Sequence, residues 1–431
     1  MKKSIILTGL IMLCGCAVGP NYHAPKNDVA DTWSSTTDVA STDAPLIQWW
    51  EVFKDPLLSK YIGLAAEHNY DVLTATSNIL QARALRQIAA SSFFPIIGAD
   101  VNATKTYFSK NGPIFAIGPS TGSVPGTVSP ATGLPFAAQV PQIQPLYNAL
   151  FDASWEIDLF GKTRRTVEAA DAVIGRTIEN RNDTLLSVMA EIALNYMELR
   201  SFQKKSQLIG ENIQILEKKA VLIHKQFETG YASRLEDENI QATLASERAL
   251  LPDILAQIHQ RIYAISVLVG SVPETLVEEL LPVQPLPIAP ETVAVGLRSD
   301  LLRRRPDIRR VERDLAAATA QEGVAVASFF PTITLLGDGG FQSLNIKNLF
   351  SLPSRTWAVG GDINMPVFEG GRLMGNLKAK RAETAAIAHT YQQTVLNALE
   401  ETESALVAFS QDLKTSQESK RQPIEIKTSL L

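Results

Sequence analysis

Four stretches of the chain alternate between apolar and polar positions. After Pro95, Ala99, Val101, Ala103 and Tyr107 fall on one face, with Lys105 the exception, and Asp100, Asn102, Thr104 and Thr106 on the other. Ala149, Phe151, Ala153, Trp155, Ile157 and Leu159 then oppose Asp152, Ser154, Glu156 and Asp158. Ile333, Leu335, Gly337, Gly339 and Phe341 oppose Thr334, Asp338 and Gln342; Trp357, Val359, Ile363, Met365 and Val367 oppose Asp362 and Asn364. A period of two predicts strands, each roughly 10 residues long, the length of a tilted membrane-spanning strand. A water-soluble sheet with one wet face shows the same alternation. If the strands span a bilayer, four cannot close a channel, because about eight only just fill their own interior. Unpaired strand edges are excluded from lipid. Several copies must then share one barrel, and three copies supply twelve strands.

Elsewhere the period lengthens. Between Lys162 and Glu228 there is no proline, and apolar residues recur every three then four positions: Leu185, Val188, Ile192, Leu199, Phe202, Ile209, Ile213, Leu216, Ala220, Ile223 and Phe227. Only Asn195 and Ser206 interrupt this seam. Such a pattern predicts coiled-coil packing along a helix about 100 Å long at 1.5 Å per residue. Thr229 to Ser233 reads as a tight turn. A partner helix follows from about Arg234 to Leu268, with Leu244, Leu251, Ile258 and Ile265 at heptad spacing and a kink expected at Pro252. A cytosolic coiled-coil spacer would show the same seam, but the export signal described below argues against it.

The chain also repeats itself. Ser92-Phe93-Phe94-Pro95 recurs as Ser328-Phe329-Phe330-Pro331, 236 residues later. Helical Ala-rich segments precede both copies, and Asp158-Leu159-Phe160-Gly161 is echoed by Pro366-Val367-Phe368-Glu369-Gly370. Each half reads helix, strand, loop, strand, long helix. Phe108 to Pro145 is a Gly-, Pro- and Ser-rich loop between the first two strands, and Ser343 to Arg355 is its shorter counterpart. The predicted segments are a signal (1–15), a leader (16–55), a first repeat (56–270), a proline-rich linker (271–296) and a second repeat (297–431). The second repeat is expected to be incomplete at its C-terminus. Its long helix should break at Gln422-Pro423-Ile424-Glu425-Ile426-Lys427, with no second tight turn or returning helix.

Charge and cysteine usage narrow the class. Lys2 and Lys3 precede the short apolar run Ile5 to Leu13, which ends in Leu13-Cys14-Gly15-Cys16. The run is too short to span a bilayer in the mature chain but suits a signal core, and the ending reads as a lipobox with Cys16 the acylated residue. An ordinary secretory signal with two incidental cysteines is the alternative. The formal net charge of −5 becomes −7 when Lys2 and Lys3 leave with the signal, which argues against a nucleic-acid partner. Cys14 and Cys16 are the only cysteines, and the five histidines form no spaced ligand pair, so no metal or other cofactor is expected. No GxSxG, P-loop or zinc motif is present, and the chain is expected not to be an enzyme. Arg303-Arg304-Arg305-Pro306-Asp307 reads as the capped start of a helix with surface ion pairs; phosphate binding is the other reading.

The pieces Cys16-Ala17-Val18-Gly19-Pro20-Asn21-Tyr22, Trp49-Trp50 with Phe53-Asp55-Pro56, both FFP copies, Leu302 to Ile308, Asp158 to Gly161 and Phe368 to Arg372 together resemble the TolC-type outer-membrane factors. More specifically, they resemble the lipidated, NodT-like efflux lipoproteins of RND systems. The match runs from the lipobox to about Gln417. The resemblance implies a mixed α and transmembrane β fold: a homotrimer whose four strands per protomer form a shared twelve-stranded barrel above a periplasmic α-helical barrel. It implies a passive exit duct for drugs or other small molecules in the outer membrane of a Gram-negative bacterium, lipid-anchored through Cys16. It further implies docking to an inner-membrane pump of RND type through a periplasmic adaptor. Asp100, Asp152, Glu156, Asp158, Asp338 and Asp362 are candidate lumen carboxylates. The competing reading is a non-conducting, truncated structural lipoprotein of the outer membrane.

Overall fold

The computed structural model describes residues 17–26, 33, 40–41, 48–109, 142–290 and 292–429. The signal segment, Cys16, about half of the leader and the greater part of the first inter-strand loop lie outside the described residues. Contacts divide the chain into two compact units. The first takes in Met1–Pro20, Gln87–Val167 and Ala320–Lys380; the second takes in Asn21–Arg86, Glu168–Thr319 and Arg381–Leu431.

The first unit is built on one antiparallel sheet of four strands: β1 (Ile96–Tyr107), β2 (Ile143–Ile157), β3 (Thr332–Ser343) and β4 (Arg355–Asn364). They lie in the order β1-β2-β3-β4, so the β2–β3 pairing joins one repeat to the other. The register sets Ala99 against Phe151, Phe151 against Gly339 and Gly339 against Trp357. In the next row it sets Gly98 against Asp152, Asp152 against Asp338 and Asp338 against Ala358. Directly opposed residues share a face, so the two alternating sets read from the sequence occupy the two faces of a single sheet. Neither outer edge, β1 nor β4, has a further strand partner among the described residues.

The second unit is helical. Helix α1 (Pro56–His68) starts where Asp55 accepts from the amides of Leu57 and Leu58 at 2.9 and 3.1 Å, with Pro56 already set to helical φ. Asn69 separates it from α2 (Tyr70–Ser91), accepting from the amides of Asp71 and Val72 while donating to the Leu268 carbonyl. Helix α3 (Lys162–Glu228) is 67 residues long. It turns at Thr229 to Ala232 into α4 (Arg234–Leu268), whose start carries a reciprocal capping box between Ser233 and Glu236. The core joins α1, α3 and α4 through Leu58, Tyr61, Ile62, Val188, Ile192, Tyr196, Leu199, Ile258, Ile262 and Ile265. Each fully buried aliphatic side chain here stabilises the packing by about 1.5–3 kcal/mol. A second small cluster of Ala220, Ile240 and Leu244 holds the far end of the hairpin together. Pro252 is accommodated inside α4, which continues unbroken through it.

The segment after α4 forms a 3-10 turn (Pro273–Leu276) and a single helical turn (Val277–Leu280) that bury Leu276 and Leu280 in the same core. The second repeat supplies α5 (Arg298–Arg304), α6 (Pro306–Ala327) and α7 (Arg372–Ser429). Leu302, Ile308 and Val311 pack with Tyr391, Val395, Ala398 and Leu399. One expectation is corrected: the backbone of α7 stays helical through 422–427 to Ser429. A proline inside a helix removes one hydrogen bond, and a long helix absorbs that loss locally by bending rather than by ending.

Candidate functional site

The two faces of the sheet differ in chemistry. Strands of 10 to 15 residues place Ile97, Val101, Phe151, Trp357, Val359 and Ile363 on one face. These side chains are not covered: Val101, Trp357 and Val359 are 78, 77 and 79 % exposed. Aromatic residues bracket this face. At the end where the strands meet helices stand Phe93, Phe94, Trp155, Phe160 and Phe330, with the Trp155 indole donating to the Phe93 carbonyl at 3.0 Å and Phe160 stacked on Phe330 at 4.8 Å. At the other end stand Tyr107, Tyr147 and Phe341. Lys105 and Arg355, the charges on this face, also sit at that second end, where long stems let cationic heads reach water. An apolar band between aromatic rows matches the pattern of the lipid-facing side of membrane strands. Among the described residues, no helix is long and apolar enough to cross a membrane.

The opposite face carries Asp100, Asp152, Glu156, Asp338 and Asp362 together. Asp152 and Asp338 are direct cross-strand neighbours, and Thr334 stands between Glu156 and Asp362 in the next row but one. Like charges placed side by side destabilise a sheet, so a solvated face that keeps them concentrates negative potential. Lys162 offsets part of it, lying 3.5 Å from Glu156. Asp158 stands apart from the other five. It follows the last residue of β2, accepts from the Arg164 amide at 2.9 Å and its guanidinium at 3.2 Å, and so closes the corner between β2 and α3.

The sequence pattern did not single out the amide groups that link these strands. Asn102 donates to Asp100 at 2.6 Å, Asn148 donates to Asn102 at 3.0 Å, and Gln342 donates to Asn148 at 3.0 Å. This ladder crosses β1, β2 and β3 at one level and leaves the polar face internally bonded. Asn102 and Gln342 were visible as polar positions, but their level depends on the strand register, which no motif discloses.

Also missed was a buried polar knot in the helical unit. Arg200 is fully buried; it donates to Gln203 at 2.8 Å and to the Tyr196 hydroxyl at 3.1 Å. Tyr196 donates to Asp55 at 2.7 Å, and Gln203 donates to the Leu280 carbonyl at 2.7 Å. Burial and the bond to Asp55 push the Tyr196 hydroxyl up to about 12. The knot fastens the segment after α4 to α3. The basic run resolves as a cap: Arg305 grips Asp307 at 3.0 and 2.8 Å and Glu401 at 2.7 Å, while Asp307 accepts from the Ile308 amide. Burial works against the Asp307 carboxylate, yet these bonds from Arg305 and the amide hold it below the usual range.

A two-faced sheet of this kind, joined to paired long helices, has the fold of outer-membrane channels. The outer-membrane channel OprN superposes with a TM-score of 0.82 over 94 % of this chain and 86 % of its own, at 28 % identity. The model of the outer membrane efflux protein family matches residues 61–271 and 297–426, and the chain belongs to that family. Nodulation protein T of Rhizobium leguminosarum bv. trifolii is 27 % identical over 416 residues, covering 96 % of this chain and 83 % of its own. The toluene efflux pump outer membrane protein TtgF of Pseudomonas putida is 28 % identical over 410 residues, covering 92 % and 80 %. The family is thus one of outer-membrane efflux proteins, and TtgF is the outer-membrane protein of a toluene efflux pump.

Proposed function

We propose that this protein is the outer-membrane duct of a tripartite efflux pump, in which three copies close a twelve-stranded barrel and small molecules pass passively through its polar lumen. The observation that carries this reading is the charged face of the sheet, with its opposite face apolar and exposed and neither edge paired among the described residues. In lipid, the edges of β1 and β4 require pairing, and a second copy offers the complementary edge. Three protomers would bring the Asp152–Asp338 pairs and the Glu156–Asp362 rows into rings around one lumen. Carboxylate rings favour cations and disfavour anions. Cys16 would carry the lipid anchor. The helices would extend into the periplasm to meet an adaptor and an inner-membrane pump of RND type, which supplies the energy. Kinship with the outer-membrane protein of a toluene efflux pump supports a drug or solvent cargo. Chemical cross-linking of the purified protein in detergent is expected to give trimers as the limiting species. A monomer at all cross-linker doses would overturn the shared barrel and favour a non-conducting envelope lipoprotein.

A further inference from the structure

The residues just after Cys16 are not a free tether. The Val18 amide donates to the Phe160 carbonyl at 3.1 Å. Arg165, on the first turn of α3 and only 3 % exposed, donates through Nε to the Val18 carbonyl at 3.2 Å and through Nη2 to the Gly19 carbonyl at 3.4 Å. Two tight backbone approaches complete the arrangement. Gly19 has φ +91°, and a Cβ there would stand 2.6 Å from the Gly323 Cα; a Cβ on Gly161 would stand 2.6 Å from the Ala17 Cα. Gly323 lies inside α6, where glycine is a poorer helix former than alanine. A Cβ at that position would press on Arg165 Cδ at 2.9 Å.

The two repeats differ at these positions. The 236-residue offset of the FFP copies puts Gln87 where the second repeat has Gly323. Aligning Gly161 with Gly370 puts Met374 where the first repeat has Arg165. A protomer has one leader, and only one cross-repeat pair of positions is equipped to receive it.

We propose that Arg165, Gly161 and Gly323 form a docking site for the backbone of Ala17 to Gly19, which fixes the point at which the acylated Cys16 leaves the fold. The statement about the acyl chain rests on the reading of Cys16 as the lipid-bearing residue. Ala17 and Val18 lie against Gly161 and Phe160, so an acyl group attached just ahead of them in sequence would enter the bilayer beside the strand ends. The partner of this surface is the chain's own leader, recognised through its carbonyls rather than its side chains.

The test uses the full exported chain with the photo-reactive residue p-benzoylphenylalanine at position 18. Irradiation is expected to attach it to the peptides containing Phe160 to Arg165 or Gly323. Arg165→Ala is expected to lower this adduct at least fivefold. Gly323→Ala, which favours the helix itself, is expected to lower it comparably without lowering the thermal midpoint, which separates docking from folding. Undiminished adduct in both variants, or attachment elsewhere, would overturn the site. Cys16→Ser behind an ordinary secretory signal is expected to keep the adduct; its loss would show that lipid, not Arg165, holds the leader. An N-terminal peptide of the unmodified chain without the diacylglyceryl mass would refute acylation and leave the docking result standing.

Discussion

Arg200 shows how much can depend on one buried cation. Its guanidinium satisfies Gln203 and Tyr196 at once, and Gln203 in turn holds the Leu280 carbonyl. Truncation leaves buried acceptors without donors, each costing about 1–3 kcal/mol. Arg200→Ala is expected to destabilise the protein by about 3 kcal/mol in urea unfolding followed by far-ultraviolet circular dichroism. Tyr231→Ala, at an exposed position in the hairpin turn, is expected to change nothing measurable. At the same end of the hairpin, His224 Nδ1 lies 3.0 Å from Asp237 and Nε2 lies 3.6 Å from Glu228. The bond to Asp237 and the negative charge of that carboxylate raise the His224 pKa. A raised histidine pKa means that protonation favours the closed turn below the unfolded value near 6.5, and that this contribution fades as pH rises through the folded value. Hydrogen exchange at the α3–α4 turn is expected to be slower at pH 6 than at pH 8, after correction for intrinsic rates. Asp237→Asn is expected to abolish that difference; persistence of the difference would assign it to another group.

At the scale of elements, the α1–α3–α4 core is a packing problem. Ile262 is fully buried among Leu58, Ile192 and their neighbours. Ile262→Ala is expected to cost about 2–5 kcal/mol by cavity formation in the same unfolding measurement. A loss below about 1 kcal/mol would mean that the helices relax into the gap. The elements themselves were legible where a period was. Val188, Ile192, Leu199, Ile209 and Ala220 from the heptad seam are buried, and Leu244, Ile258 and Ile265 meet them from α4. The strand faces followed from parity alone, because pairing in an antiparallel sheet preserves parity across all four strands. Register, and with it the amide ladder through Asn148, was not legible, since sliding a strand by two residues keeps every face intact. The Arg200 knot was hidden for a related reason: its partners Asp55 and Leu280 are 145 residues upstream and 80 downstream, and a lone arginine on a long helix reads as solvated surface. Asp158 was misplaced by one position, because alternation carries no mark of where a strand stops. The break expected at Pro423 failed because local propensity weighs little against a helix of 58 residues.

At the scale of the molecule, the charged face decides what the sheet can do. Apolar residues exposed on one side, carboxylates on the other and two open edges fit a wall that several copies complete. The most direct test is the reversal potential of the purified protein in a planar lipid bilayer under a tenfold KCl gradient. The expected result is a stepwise conductance that prefers cations, reduced in preference by the double substitution Asp152→Asn with Asp338→Asn while the step size persists. A protein that inserts without conducting would contradict the channel reading, and conduction with no preference for cations would contradict the carboxylate-lined lumen.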